Sequence, residues 1–421
     1  MTRRISPIAA VLLSMLPAGF SIMATGTAQA ANLFDLNVTV TSPTTGSASA
    51  AFSSISSLAD ALQSQNLNNL VKSYNTNSAA TATLNIRGLP ATVTYQANSP
   101  VLRFAVPAAG INTTFNGVTR DDSQIQFKDF LIKNGGAIAT RLLQALVANS
   151  PIDPVAGNPN SLQNMSAASD FSNATGIGMG ATEIPGGPGG LIGQPNLVTL
   201  GGDVGVARSG GYTSTIVSLP FRYIIPFSDP RYAVTLDAPI TYVNTGGASS
   251  YFGSFGAALR IPVLENWYLT PNVRFGASGS ADLGAGALQY SGGIASRYDI
   301  FWNDLQITIG DGVTVAKTVG LNIGPVNVNY DLTNELFNNG VQVEGSLPYV
   351  VFGEPTSWQA YVVDTAVTGS KVYINHYDEI GVSVGTRHGI NTQNWNSLRV
   401  GFGVTVGEHY DAFKIALSAR F

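Results

Sequence analysis

From residue 196 onward, apolar and polar side chains alternate with a period of two, in segments of ten or more residues. No stretch there reaches the roughly 18 consecutive apolar residues that a transmembrane helix needs. Thr215 to Phe227 sets Val217, Leu219, Phe221, Tyr223, Ile225 and Phe227 on one face and Ser218 and Arg222 on the other. After the Ser228-Asp229-Pro230 turn, Tyr232, Val234, Leu236, Ala238, Ile240 and Tyr242 oppose Thr235, Asp237 and Thr241, which makes a hairpin. Tyr251 to Val263 repeats the pattern, with Phe255, Leu259 and Ile261 opposite Ser254, Gly256 and Arg260, and Leu269 to Ala277 follows. At the end of the chain Leu398, Val400, Phe402, Val404 and Val406 alternate with small or polar residues, and Phe413, Ile415, Leu417, Ala419 and Phe421 close the series. A chain patterned this way folds into long antiparallel strands with one apolar face, as a sandwich or as a barrel.

Composition and turns separate the two. Charged residues are only 11% of the chain, 46 residues are Gly, and there is no Cys. The turns are expected to be short at Ser228 to Pro230 and Glu265-Asn266, and longer at Thr245 to Ser250 and Ser278 to Ala287. Alternate short and long turns are what a membrane barrel shows at its two rims. Tyr223, Phe227, Tyr232, Trp267, Tyr268, Phe301, Trp302 and Tyr410 lie near strand ends, where an aromatic girdle belongs. The fold expected over residues 196–421 is therefore an all-β transmembrane antiparallel barrel of about twelve strands, weakest in pattern between Gly310 and Gly353.

Residues 1–30 read as an export signal, with Arg3 and Arg4, an apolar run from Ile8 to Phe20, and Ala28-Gln29-Ala30 as the cleavage site. Residues 31–158 read as a small α+β soluble domain. One helix is expected over Phe52 to Tyr74, with a break near Asn66, and β-like runs over Ala82 to Arg87, Ala91 to Gln96, Val101 to Val106 and Ile125 to Ile132. A second helix is expected over Gly136 to Asn149. Residues 159–195 are rich in Gly, Pro and Asn and read as a linker.

The last strand, with apolar residues at alternate positions back from Phe421, resembles the signal that the barrel-assembly machinery reads. Residues 196–421 thus resemble a bacterial outer-membrane β-barrel, and an exported domain followed by such a barrel is similar to autotransporters and Fap-type secretion pores. The resemblance implies an outer-membrane location, with lipid and lipopolysaccharide around the barrel and the assembly machinery as a partner. Phe413, Ile415, Leu417 and Phe421 would be the assembly signal. Two functions follow from it. In one the barrel exports, displays or anchors its N-terminal domain, and in the other it is a porin-like diffusion channel for small solutes with a periplasmic plug or gate. A closed anchor is a third.

If the apolar face points outward, Arg222, Arg260, Arg274, Arg399, Lys414 and Arg420 line the lumen, with Asp237 the clearest acid. Such a lumen either favours anions or holds an acidic plug, unless the arginines pair with acids on neighbouring strands. Inward Gly256, Gly276, Gly381, Gly385, Gly401 and Gly403 leave room for water or for polypeptide inside, or else relieve backbone crowding. The helix over Gly136 to Asn149 is either such a plug or the closing core helix of its own domain.

A net charge of −4 with no basic stripe argues against nucleic acid as a partner. Without Cys there is no thiolate metal site or cysteine nucleophile, and no cofactor motif is present. His376, His388 and His409 are too scattered to suggest a metal site, and His376 near Asp378 is the sole hint of hydrolytic chemistry. Neither an enzyme nor a bound metal is expected.

Overall fold

A computed structural model describes residues 31–133, 137–179, 196–323, 326–386 and 397–420. The export signal over 1–30 and Phe421 lie outside the described residues.

The N-terminal domain is built on a six-stranded antiparallel sheet in the order β2-β1-β3-β4-β5-β6. Its strands are β1 (Phe34–Ser42), β2 (Gly46–Phe52), β3 (Ala79–Ile86), β4 (Leu89–Tyr95), β5 (Leu102–Val106) and β6 (Ile111–Phe115). Period-2 patterning decides its inner face, since Leu36, Val38, Leu84, Val93 and Phe104 are buried while Asn37, Thr39, Thr81 and Thr83 face solvent. Two short helices, α1 (Ile55–Ala61) and α2 (Ser64–Leu70), replace the single one expected. The break falls at Leu62 and Gln63, earlier than Asn66, and keeps Leu58, Leu62 and Leu67 all buried.

The segment Ile125 to Ile132, expected as a β-run, is the centre of helix α3 (Arg120–Lys133). Its start is a reciprocal cap: Thr119 Oγ1 accepts from the Asp122 amide at 3.1 Å, and the Asp122 carboxylate accepts from the Thr119 amide at 2.9 Å. Phe127 and Phe130, three residues apart, then meet Phe104 and Phe115 in one aromatic cluster. Helix α4 (Ala137–Asn149) buries Ala145, Leu146 and Val147, and Leu146 joins the core of this domain. It is the closing helix of the domain rather than a plug.

The C-terminal part is a closed antiparallel barrel of twelve strands. They are β7 (Leu197–Ser209), β8 (Tyr212–Leu219 and Phe221–Pro226), β9 (Ala233–Asp237 and Ile240–Thr245), β10 (Ala248–Pro262), β11 (Trp267–Ser280), β12 (Ala285–Trp302), β13 (Leu305–Val319), β14 (Thr333–Val351), β15 (Glu354–Gly369), β16 (His376–Thr386), β17 (Ser397–Gly407) and β18 (Tyr410–Arg420). β18 pairs with β7 from Tyr410↔Ser209 to Arg420↔Thr199 and closes the ring. β8 and β9 are each interrupted once, where their flanking registers bring Pro220 opposite Pro239. Neither proline has an N–H to give to the ladder.

One mouth of the barrel carries the turns that follow the odd-numbered strands, and the N-terminal domain sits on it. The Ala31 amide donates to Gly211 O at 3.1 Å and the Ile55 amide to Asp282 O at 2.9 Å. Tyr212, Ala248, Leu283 and Ala285 at this rim join the hydrophobic core of the domain. The other mouth, the far mouth, holds the start of β7 and the end of β18. The turn lengths differ from those expected. Thr245 to Ser250 is a tight hairpin closed by Gly246 (φ 56°) and Gly247 (φ 94°), a conformation open to two glycines, so the flanking residues stay in strand. The turn expected to be short at Ser228 to Pro230 spans 227–232. Within the stretch from Gly310 to Gly353, where the pattern is weakest, Thr333–Val351 is regular strand in β14.

Candidate functional site

Of the residues expected to be linker, Leu162–Thr175 form helix α5, which lies inside the barrel, while 180–195 lie outside the described residues. Residues 150–161 form a fully buried neck between the domain and this helix. In the neck Arg87 Nη1 meets Asp153 Oδ2 at 3.1 Å, both side chains shielded from solvent. Burial pushes the Asp153 carboxyl up, against the opposing charge of Arg87. Asn164 Nδ2 donates to Asn158 O at 3.0 Å and to Ser161 Oγ at 3.1 Å, tying the neck to the first turn of α5.

Helix α5 runs from the domain-side mouth toward the far mouth and lies against β10, β11, β12, β13 and β14. At about 1.5 Å per residue its 14 residues cover about 21 Å, most of the ~25 Å apolar band of a membrane barrel. Glycines in the wall make its bed. A Cβ at Gly310 would stand 2.8 Å from Thr175, one at Gly340 3.1 Å from Phe171, and one at Gly276 3.0 Å from Leu162. Phe171 is thereby held with Ile177, Tyr361 and Val363.

Charge fixes the helix along its length. Arg274 Nη2 on β11 bonds Asp170 Oδ1 at 2.8 Å and Asp237 Oδ2 on β9 at 2.8 Å, and Nη1 donates to Ser254 Oγ at 2.9 Å. Asp237, Gly256 and Arg274 are register partners on three successive strands, so the guanidinium crosses the glycine to reach the acid. Nearer the far mouth Arg297 Nη1 donates to the Thr175 carbonyl at 2.8 Å, which satisfies a terminal helix acceptor with a cation. Asp299 holds that arginine at 2.8 Å and accepts from Thr308 Oγ1 at 2.7 Å.

The sequence-derived lumen residues do not converge on one place. Arg274 grips the helix. Arg260 is buried against the wall, donating from Nη2 to Pro230 O at 2.7 Å and from Nε to Arg231 O at 3.0 Å. Arg399 donates to Ser357 Oγ at 2.6 Å and Ser383 Oγ at 3.1 Å, and Arg420 is buried on β18. Arg222 and Lys414 border a cavity of about 260 Å³ between α5 and the wall on the side of β7, β8, β9, β16 and β18. Asp203, Asp237 and Glu379 border the same cavity, so its lining mixes both signs rather than being simply basic. Asp170, Arg297 and Asp299 escaped the sequence reading. The first stands in the segment taken for linker, and only its position as the one charge of a Ser/Ala-rich helix marks it.

The outer face decides the solvent around the barrel. Val204, Leu219, Ile240, Phe255, Val273, Ile380, Val404 and Ile415 are 42–62% exposed, and every strand adds to this apolar surface, while the inward residues mix polar and small side chains with a few large apolar ones that pack on α5. A soluble monomer does not expose an apolar surface of that extent. The C-terminal part is an outer-membrane β-barrel. Phe413, Ile415 and Leu417 lie on its outward face, as do Phe227, Phe301 and Trp302 near the far mouth. Tyr268 and Tyr410, expected in the girdle, are buried on the lumen side instead, because alternation along their strands puts them on the same inward face as Arg274 and Ala412.

No protein-family model and no curated protein matches the sequence. Among solved structures the barrel is similar to the beta domain of the Bordetella autotransporter BrkA, at 14% identity and a TM-score of 0.43, over 54% of this chain and 99% of that one. It is similar to the translocator domain of the autotransporter NalP from Neisseria meningitidis, at 11% identity and a TM-score of 0.40, over 54% of this chain and 88% of that one. The KdgM porin matches at 9% identity and a TM-score of 0.31, over 53% of this chain and 99% of that one.

Proposed function

We propose that the barrel exports and anchors its own N-terminal domain, as a non-enzymatic translocator, and that this domain stands on the outer surface of the cell. One observation carries the reading: among the described residues the chain crosses the lumen once, as α5, with the domain at one mouth and the start of the first barrel strand at the other. An even number of strands returns the end of β18 to the mouth where β7 starts. A barrel inserted from the periplasm keeps that mouth on the periplasmic side, and the domain then lies outside.

The domain travels unfolded. A folded unit of about 120 residues has a radius of gyration near 14 Å, whereas one helix of about 10–12 Å diameter already fills most of the lumen. The absence of cysteine leaves no disulfide to lock the domain before passage. Folding of the six-stranded sheet outside the domain-side mouth makes the transfer directional. The partners of this reading are outer-membrane lipid and lipopolysaccharide, and the assembly machinery acting on β18.

The test is protease treatment of intact cells carrying an epitope tag in the N-terminal domain, with lysed cells as control. Loss of the tag from intact cells is expected. Protection in intact cells with loss after lysis would reverse the orientation and favour the porin-like channel with a periplasmic plug. The cavity beside α5, bordered by Arg222 and Lys414, is what that second reading rests on.

A further inference from the structure

We propose that Asp364, His376 and Asp378 bind a divalent transition-metal ion, Zn²⁺ in the first instance, on the outward wall of the barrel near the domain-side mouth. β15 and β16 place Asp364 and Asp378 as direct register partners, so two carboxylates face each other across neighbouring strands. Like charges in that position repel, and a cation between them removes the repulsion. His376 opens β16 two residues before Asp378, on the same outward face, and its Nε2 lies 2.5 Å from Asp364 Oδ2. Ligand atoms from all three side chains lie within 4.8 Å of one another. Among the described residues no lysine or arginine pairs with either carboxylate.

The donor set selects the metal. One imidazole nitrogen and two carboxylate oxygens form a mixed N/O site, which suits Zn²⁺ and its transition-metal neighbours, whereas Ca²⁺ and Mg²⁺ prefer oxygen alone and more of it. Three protein ligands leave one position of a tetrahedral ion for water, and the exposure of His376 (58%) and Asp364 (40%) gives water access to it. The backbone ladder between β15 and β16 sets the spacing of the ligands before any ion arrives. The same alternation that points Val362 and Ile380 into lipid points these three residues outward at the edge of the apolar surface. The three histidines are scattered along the sequence, and it is the strand register that brings one of them, His376, to two acids. The site depends on neither the translocator nor the porin reading.

The experiment is calorimetric titration of ZnCl₂ into the untagged full-length protein in detergent, with CaCl₂ titrated in parallel. Saturable Zn²⁺ binding is expected, with no competition by Ca²⁺. His376→Ala and Asp364→Asn should each weaken it by at least about tenfold, equivalent to 1.4 kcal/mol, and His409→Ala should leave it unchanged. All three variants should keep the heat-modifiable mobility of a folded barrel. With CoCl₂, the visible absorption of the bound ion should be lost in His376→Ala. No Zn²⁺ binding by the wild-type protein, or equal binding by wild type and His376→Ala, would overturn the proposal.

Discussion

The guanidinium of Arg274 on β11 meets Asp170 of the lumen helix at 2.8 Å while it holds Asp237 of the wall at the same distance. One arginine therefore joins the crossing segment to two strands of the barrel. Both acids and the arginine are shielded from water, so removing one partner leaves charge stranded in the interior.

Asp170→Asn keeps the shape and removes the charge while Arg274 retains Asp237. The expected cost is about 1.5–3 kcal/mol, the range for a hydrogen bond to a charged group. Arg274→Met should cost more, about 3–5 kcal/mol, because it abandons two buried acids. The checking measurement is the temperature at which the heat-modifiable band shifts. Equal midpoints for wild type and Asp170→Asn would mean that the ion pair does not hold the helix.

Phe171→Ala should loosen the helix from the bed formed by Gly312 and Gly340. Large-to-small changes of this kind cost about 3–5 kcal/mol in a closed core, an upper bound beside a cavity. Larger and more frequent open events in planar bilayers are expected than for the wild type. Identical conductance would show that the packing of Phe171 does not limit the aperture.

Acid should not release the neck. Burial raises the folded-state pKa of Asp153 above its unfolded value, so its contribution to stability is complete below the unfolded pKa and is lost as pH rises through the folded one. Asp153→Asn, which mimics the protonated form, should flatten the dependence of melting on pH between those two pKa values. A wild-type protein that melts at lower temperature as pH falls from 7 to 5, with Asp153→Asn immune to the change, would reverse this sign.

Lumen arginines should differ in their effect on ion preference. Arg222 borders the cavity, whereas Arg260 spends its donors on the carbonyls of Pro230 and Arg231. Arg222→Gln is expected to move the reversal potential away from anions, and Arg260→Gln mainly to lower stability. A larger shift from Arg260 than from Arg222 would contradict this assignment of the conducting side.

On the lipid face, Ile415→Arg should cost about 2–4 kcal/mol if the residue lies near the bilayer midplane. Replacement of Phe421 by Ala should lower the amount of protein in the outer membrane without such a stability loss in the barrel already assembled. Immunoblots of purified outer membranes, paired with thermal melts, separate the two effects. Normal accumulation of the Phe421 variant would retire the terminal-signal idea.

The sequence by itself determined long antiparallel strands with one apolar face, because a two-residue period is one that no helix can imitate; closure into a barrel came from the pairing of β18 with β7. Val217, Leu219 and Phe221 against Ser218 and Arg222 already told outside from inside, and the turn after Phe227 already told antiparallel from parallel. It did not determine what fills the lumen. Leu162–Thr175 carries few large apolar residues, since it packs in a narrow lumen on a wall where glycines make room for its Phe171, and in sequence that is indistinguishable from a linker. Tertiary structure alone decided that Asp170 meets Arg274 across 104 positions of chain, and that Asp364 and Asp378 face each other beside His376. These relationships arise from strand register and barrel closure, which set distances between residues that no local pattern connects.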